Sequence, residues 1–207
     1  MIETAATETT PAQRLNAALA RILSILERHR DERGLSPGDR AELRRMEPVA
    51  GVLPAVFWRL AVEPAVAAAI DDLARGDRET GERAFAVVVQ AIVEAETAGQ
   101  EPVGAALAPG LDRRGHKRKG YAEERVVRFL RARGPDLAHE ARQVARWCGA
   151  EAGGVRFTDE RGPNGLGPFL LHAFVDSERA TKRAHAIARD YFRTLARAQS
   201  DVTEDTE

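Results

Sequence analysis

The sequence predicts an all-α protein: two small helical subdomains forming a helical bundle, with long basic and glycine-rich loops. Three observations lead there. The chain is rich in Ala and Arg and poor in aromatic and β-branched runs, which favours helix over sheet. Apolar residues return every three or four positions in one segment after another. Clusters of Gly and Pro separate those segments at helix-length intervals.

Residues 1–12 are acidic and polar and are expected to form a disordered tail. A first helix is expected over 12–31, with Leu15, Leu19, Ile22 and Leu26 on one face. Gly34 and the Ser36-Pro37-Gly38-Asp39 cluster end it, and Asp39 is the expected cap of a short helix reaching Met46. Pro48, Gly51 and Pro54 mark a turn. Val56, Phe57, Trp58 and Leu60 make 55–61 a buried helical anchor, and a helix over 64–73 follows. After a polar break at 77–80, the helix over 81–97 shows Phe85, Val88, Val89, Ile92 and Val93 on a broad apolar face. Its Val87-Val88-Val89 run is compatible with strand, but the flanking Ala and Glu residues and the length favour helix. Five glycines and two prolines between Gly99 and Gly120 divide an N-terminal subdomain (13–100) from a C-terminal one with a basic face (101–199). The second half is expected to hold helices over 122–132, 135–148, 168–175 and 177–198, with a long irregular loop over 149–167. The acidic residues 200–207 read as a second disordered tail.

Several function classes are disfavoured at this level. No apolar run approaches the roughly 20 residues that span a bilayer. The first residues lack an apolar signal core, and a single cysteine, Cys148, allows neither an internal disulfide nor a thiolate-rich zinc site. A cytoplasmic protein is expected. There is no phosphate-binding P-loop, no dinucleotide fingerprint and no HExxH helix. Neither a cofactor nor a catalytic residue is expected. His172, in FLLHAF, reads as a hydrogen-bonded core or interface residue, Asp159 and Glu160 as local partners of Arg161, GPNGLGP as a turn, and Cys148 as core.

The positive charge is concentrated. From Arg113 to Arg133 there are nine Lys or Arg against two acidic residues, in a chain of net charge -1. Such a cluster repels itself unless an anion answers it, and a polyphosphate is a common answer. On a helical wheel, Arg125, Arg128 and Arg131 lie opposite Val126, Phe129 and Leu130. In the last helix, Arg179, Lys182, Arg189, Arg193 and Arg197 form a stripe with Arg183 at its edge, opposite Ala180, Ile187, Tyr191 and Leu195. The competing reading is a solvated face neutralised by acids one turn away, such as Glu178 and Asp190. Phe57, Trp58, Tyr191 and Phe192 read as core or intersubunit packing more readily than as base-stacking groups.

Three segments together resemble a known family. They are GDRAELRRMEPVAGVLPAVFWRL (38–60), PVGAALAPGLDRRGHKRKGYAEERVVRFLRAR (102–133) and ARDYF (188–192). In order and spacing, the chain resembles the CasB-like small subunit of type I-E CRISPR Cascade complexes. The RRGHKRKG link is longer and more basic here than in that family. The resemblance implies a non-catalytic all-α subunit, two copies head to tail, beside the large and backbone subunits. It would help hold the crRNA–target DNA hybrid and the displaced strand of the R-loop in antiviral defence. Matched to the family's basic segments, the expected nucleic-acid contacts are Arg44, Arg45, Arg125, Arg128 and Arg131. Arg113, Arg114, Lys117, Arg118 and Lys119 are added on charge alone, and Lys182, Arg183, Arg189 and Arg193 follow from the last stripe. Guide pairing would read the sequence, so backbone contacts suffice for such a protein. The alternatives are a stand-alone helical DNA-binding or regulatory protein, a helical adaptor for an acidic protein, and an enzyme whose site the motifs do not reveal.

Overall fold

The computed structural model describes residues 9–27, 34–74, 76–111 and 116–204. The fold is all-α: ten helices and one two-residue hairpin among the described residues. The helices are α1 (Pro11–Glu27), α2 (Pro37–Arg45), α3 (Ala55–Ala61), α4 (Pro64–Ala74), α5 (Arg78–Ala95), α6 (Val103–Leu107), α7 (Glu123–Arg131), α8 (Gly134–Glu151), α9 (Leu166–Val175) and α10 (Ser177–Glu204). Strand β1 (Gly110–Leu111) pairs antiparallel with β2 (Lys117–Arg118).

The centre of the fold is α5. From Ala84 to Ala95 every residue is buried, not only the apolar face that periodicity picks out. A helix apolar all round belongs inside a core, and α5 packs on α8 and α9 as well as on α4, α2 and α1. The halves on either side of residue 100 therefore share one continuous cluster of buried side chains, from Leu15 to Tyr191. Two polar residues of α5 are buried with it. Gln90 Nε2 donates to the Arg44 and Met46 carbonyl oxygens at 2.9 and 2.8 Å, closing the end of α2. Glu94 accepts from α8.

Two glycines let helices approach closely. A Cβ at Gly149 of α8 would collide with the Ala95 carbonyl at the end of α5, and one at Gly104 of α6 with the Ile187 carbonyl of α10. The small-residue run around Gly104 is thus a short helix docked on α10, where only a division between subdomains was expected.

Several local expectations shift. Ser36, not Asp39, is the N-cap of α2: its hydroxyl accepts from Asp39 N–H while the Asp39 carboxylate takes the Ser36 N–H, a reciprocal capping box. Asp77 caps α5 and starts it three residues before Gly81. Trp58 and Phe192 are 42% and 45% exposed, whereas Phe57 and Tyr191 are core. At its C-terminal end α10 continues to Glu204, past the expected stop at 198.

The 149–167 segment is a tied loop. Its backbone pairs with 99–101 through Gly99 N–H to Val155 O and Arg156 N–H to Glu101 O. Buried Arg156 donates to the Arg161 and Pro163 carbonyls, gathering the GPNG turn. Asp159 does not pair with Arg161; it pairs with Arg183 of α10 at 2.7 Å.

Candidate nucleic-acid interface

The predicted basic residues divide by what already holds them. In the hairpin the side chains alternate, with Lys117 and Lys119 exposed and Arg118 buried between them. Arg118 was expected at the surface on charge alone. Its side chain is instead 2% exposed, and its Nη2 donates to the Ala105 and Ala108 carbonyls at 3.0 and 3.1 Å and to Glu101 at 3.3 Å. It closes the C-terminal end of α6 and anchors the hairpin from inside. Arg113 and Arg114 lie outside the described residues.

Arg183 is also turned inward, giving Nε to His172 Nδ1 at 2.9 Å and Nη2 to Asp159. Arg44 pairs with Glu96 and Arg128 with Glu140, each at 2.7 Å, and Lys182 pairs with Glu178 one turn back. Arg193 has only a long contact to Asp190, at 3.9 Å. Arg45 is exposed and bonds only the Ala41 carbonyl of its own helix. Lys117, Lys119, Arg131 and Arg189 are exposed and have no ion pair among the described residues.

Arg125 belongs to a concave surface that the wheel could not show. Its guanidinium lies over the Tyr121 ring, 5.9 Å from the centroid. Tyr121 in turn packs on Trp147 of α8, with ring centroids 5.2 Å apart. Around this pair a groove of about 430 Å³ is lined by Arg125, Arg142, Arg146, His139, Gln143 and Glu151. Residues 139, 142, 143 and 146 share one face of α8, because they fall three or four apart. Burial, and then the Glu140 carboxylate, push the Tyr121 phenol up, so it stays neutral in the groove floor.

Arg142 and Arg146 share one counter-ion. Arg142 gives Nε and Nη2 to Glu94 Oε1 at 3.1 and 3.0 Å, and Arg146 gives the same pair of atoms to Oε2 at 3.2 and 2.9 Å. The Glu94 side chain is 5% exposed, whereas those of Arg142 and Arg146 are 40% and 64% exposed. One buried carboxylate thus orients two guanidiniums whose outer edges face solvent, and it neutralises only one of them. Chemically, this arrangement can accept an anion beside an aromatic ring. The signal in the sequence was Arg-x-x-x-Arg-Trp on a helix. Its meaning depended on a carboxylate 48 residues away from Arg142.

Cys148 is fully buried, and burial pushes its thiol up to about 12. Among the described residues no group of three or more His, Cys, Asp or Glu side chains could hold a metal ion, and no helix is long and apolar enough to cross a membrane. No family model matches the chain, and neither does any curated protein or solved structure.

Proposed function

We propose that the chain is a non-catalytic nucleic-acid-holding protein that acts as the small subunit of a type I-E Cascade-like surveillance complex. It would steady the guide–target hybrid and the displaced strand. The observation that carries the reading is the α7–α8 groove, where Arg125, Arg142 and Arg146 surround the Tyr121–Trp147 pair over a single shared carboxylate. Such a surface suits a single strand, with guanidiniums for phosphates and an aromatic ring for a base. Lys117, Lys119 and Arg131 are further exposed cations, on the hairpin and on α7. The ordered resemblance of 38–60, 102–133 and 188–192 to the CasB-like subunits supplies the complex in which this surface would work.

Fluorescence anisotropy with labelled oligo(dT) over a salt series tests the binding. The double variant R125Q/R146Q is expected to flatten the slope of log K against log salt by about 1.4, two single-strand phosphate contacts at ~0.7 each. An unchanged slope in a folded double variant overturns the groove. Purification of the tagged chain from its native cells tests the assembly. Recovery with larger partner proteins and a guide RNA is expected, and recovery of the chain alone overturns the Cascade reading.

A further inference from the structure

The α7–α8 groove holds two aromatic rings, and the fold treats them differently. Tyr121 is 4% exposed: the Arg125 guanidinium stands over its ring, and Trp147 packs against it. It forms the floor and offers no open face. Trp147 is half-buried in the groove wall. Among the described residues, Tyr121 is the one ring it meets, no cation stands over its indole, and its Nε1–H makes no hydrogen bond. A packed indole N–H ordinarily finds a partner, so this one is left for a ligand. The exposed rings elsewhere, Trp58 and Phe192, lie outside this lining.

The spacing along α8 bears on what that ligand is. Arg142 and Arg146 are four apart, and so are Gln143 and Trp147. Two rows therefore run side by side along the helix, at ~6 Å per step. The first row carries charge and the second ends in a ring. Phosphates that follow the first row bring their bases towards the second. A polyanion without bases would use the guanidiniums alone and leave the indole idle. A base inside a duplex has both faces covered by its neighbours, so only an unpaired strand can offer one.

We infer that Trp147 is a stacking platform for one unpaired base, which makes the groove a site for single-stranded nucleic acid rather than for polyanions in general. Stacking on a ring tolerates any base, as a protein that holds strands of any sequence requires. The inference rests on the groove reading above and adds to it the residue that meets the base.

Trp58 and Trp147 are the two tryptophans of the chain, so W58F leaves Trp147 as the sole indole reporter. Trp58 lies at the surface, and its replacement by Phe keeps an aromatic ring beside Phe57. The full-length W58F chain is titrated with oligo(dT) and with an abasic strand of equal length and equal phosphate count. Anisotropy of labelled strands reads binding, and indole emission with unlabelled strands reads contact. Saturable quenching of Trp147 by oligo(dT) is expected, with little by the abasic strand at saturation. The abasic strand should also bind at least about fivefold more weakly. In a folded W147L chain the two strands should bind equally, while the salt slope for oligo(dT) stays that of the native chain, because the phosphate contacts remain. Should W147L not fold, the emission comparison in W58F decides alone. The inference is overturned if bound oligo(dT) leaves Trp147 emission unchanged, if the abasic strand binds as tightly as oligo(dT), or if W147L keeps the preference for oligo(dT). Each of these outcomes leaves the phosphate contacts standing, because both strands still bind with a salt slope that R125Q/R146Q flattens. Absence of binding by either strand overturns the groove reading, and this inference with it.

Discussion

The α7–α8 groove and the outer stripe of α10 are both arginine-rich helical surfaces, and they hold their charge differently. On α10 the counter-ions come from the same stretch of chain: Asp176 for Arg179, Glu178 for Lys182, Asp190 for Arg193. Arg179, Lys182 and Arg193 each meet an acid one turn away, whereas Arg189 has no ion pair among the described residues. In the groove the arginines come from α7 and α8, and the acid that Arg142 and Arg146 share comes from α5. Two guanidiniums on one carboxylate leave charge over, and they leave it beside the Trp147 ring. What differs between the two regions is whether the neutralising acid is local. A local pair is a solvated face of little consequence, whereas a remote buried acid orients its cations outward.

The largest break in this comparison should come from Arg118, whose buried guanidinium ties the hairpin and α6 together beneath the Tyr121 side of the groove. Arg118→Ala strips two carbonyls and Glu101 of their donor inside the fold. It should cost about 3 kcal/mol, read as a lower urea midpoint.

A comparable effect on the α10 side should come from acid. Burial, and then the nearby Arg183, lower the folded pKa of His172 to about 4, from 6.5 in the unfolded chain. Between those values the unfolded chain binds the extra proton, so stability falls as pH falls from 6.5 towards 4 and is complete above 6.5. The loss should total on the order of 3 kcal/mol. Urea midpoints of the native chain and His172→Gln over pH 7 to 4.5 isolate it, because the carboxylates common to both cancel. Parallel curves would contradict the buried neutral ring.

A smaller effect sharpens the contrast in the other direction. Glu94→Gln keeps the shape of the buried acceptor and removes its charge, so the groove should bind oligo(dT) more tightly, with a salt slope steeper by about 0.7. The smallest effect is expected at Lys182, whose exposed ammonium is matched by Glu178. Lys182→Ala should leave both the unfolding midpoint and the salt slope within error. A marked loss there would mean that the local pairs of α10 open on binding.

Much of this was legible in the sequence. Helix periodicity located most of the main helices, because the 3.6-residue repeat needs no knowledge of neighbours. The outward placement of Arg125 and Arg131 followed from the same wheel. Trp58 misled: in a short apolar segment nothing in the sequence says which face lacks a partner helix. Arg118 misled for a related reason. Within the basic run RRGHKRKG every cation looks alike, until pairing with β1 turns Arg118 inward. The tie between Asp159 and Arg183 was hidden by Arg161, the nearer cation in the chain.

The sequence by itself determined the all-α class, most of the helical segments and the places where positive charge gathers. These depend on composition and on spacing within a single segment. Only the tertiary structure decided which cations are available. It buried Arg118 against α6, turned Arg183 onto His172, set two arginines of α8 on Glu94 of α5, and placed Tyr121 against Trp147. The physical reason is that a charge is defined by its nearest counter-ion and its contact with water. In a packed helical bundle both are set by residues distant in the chain.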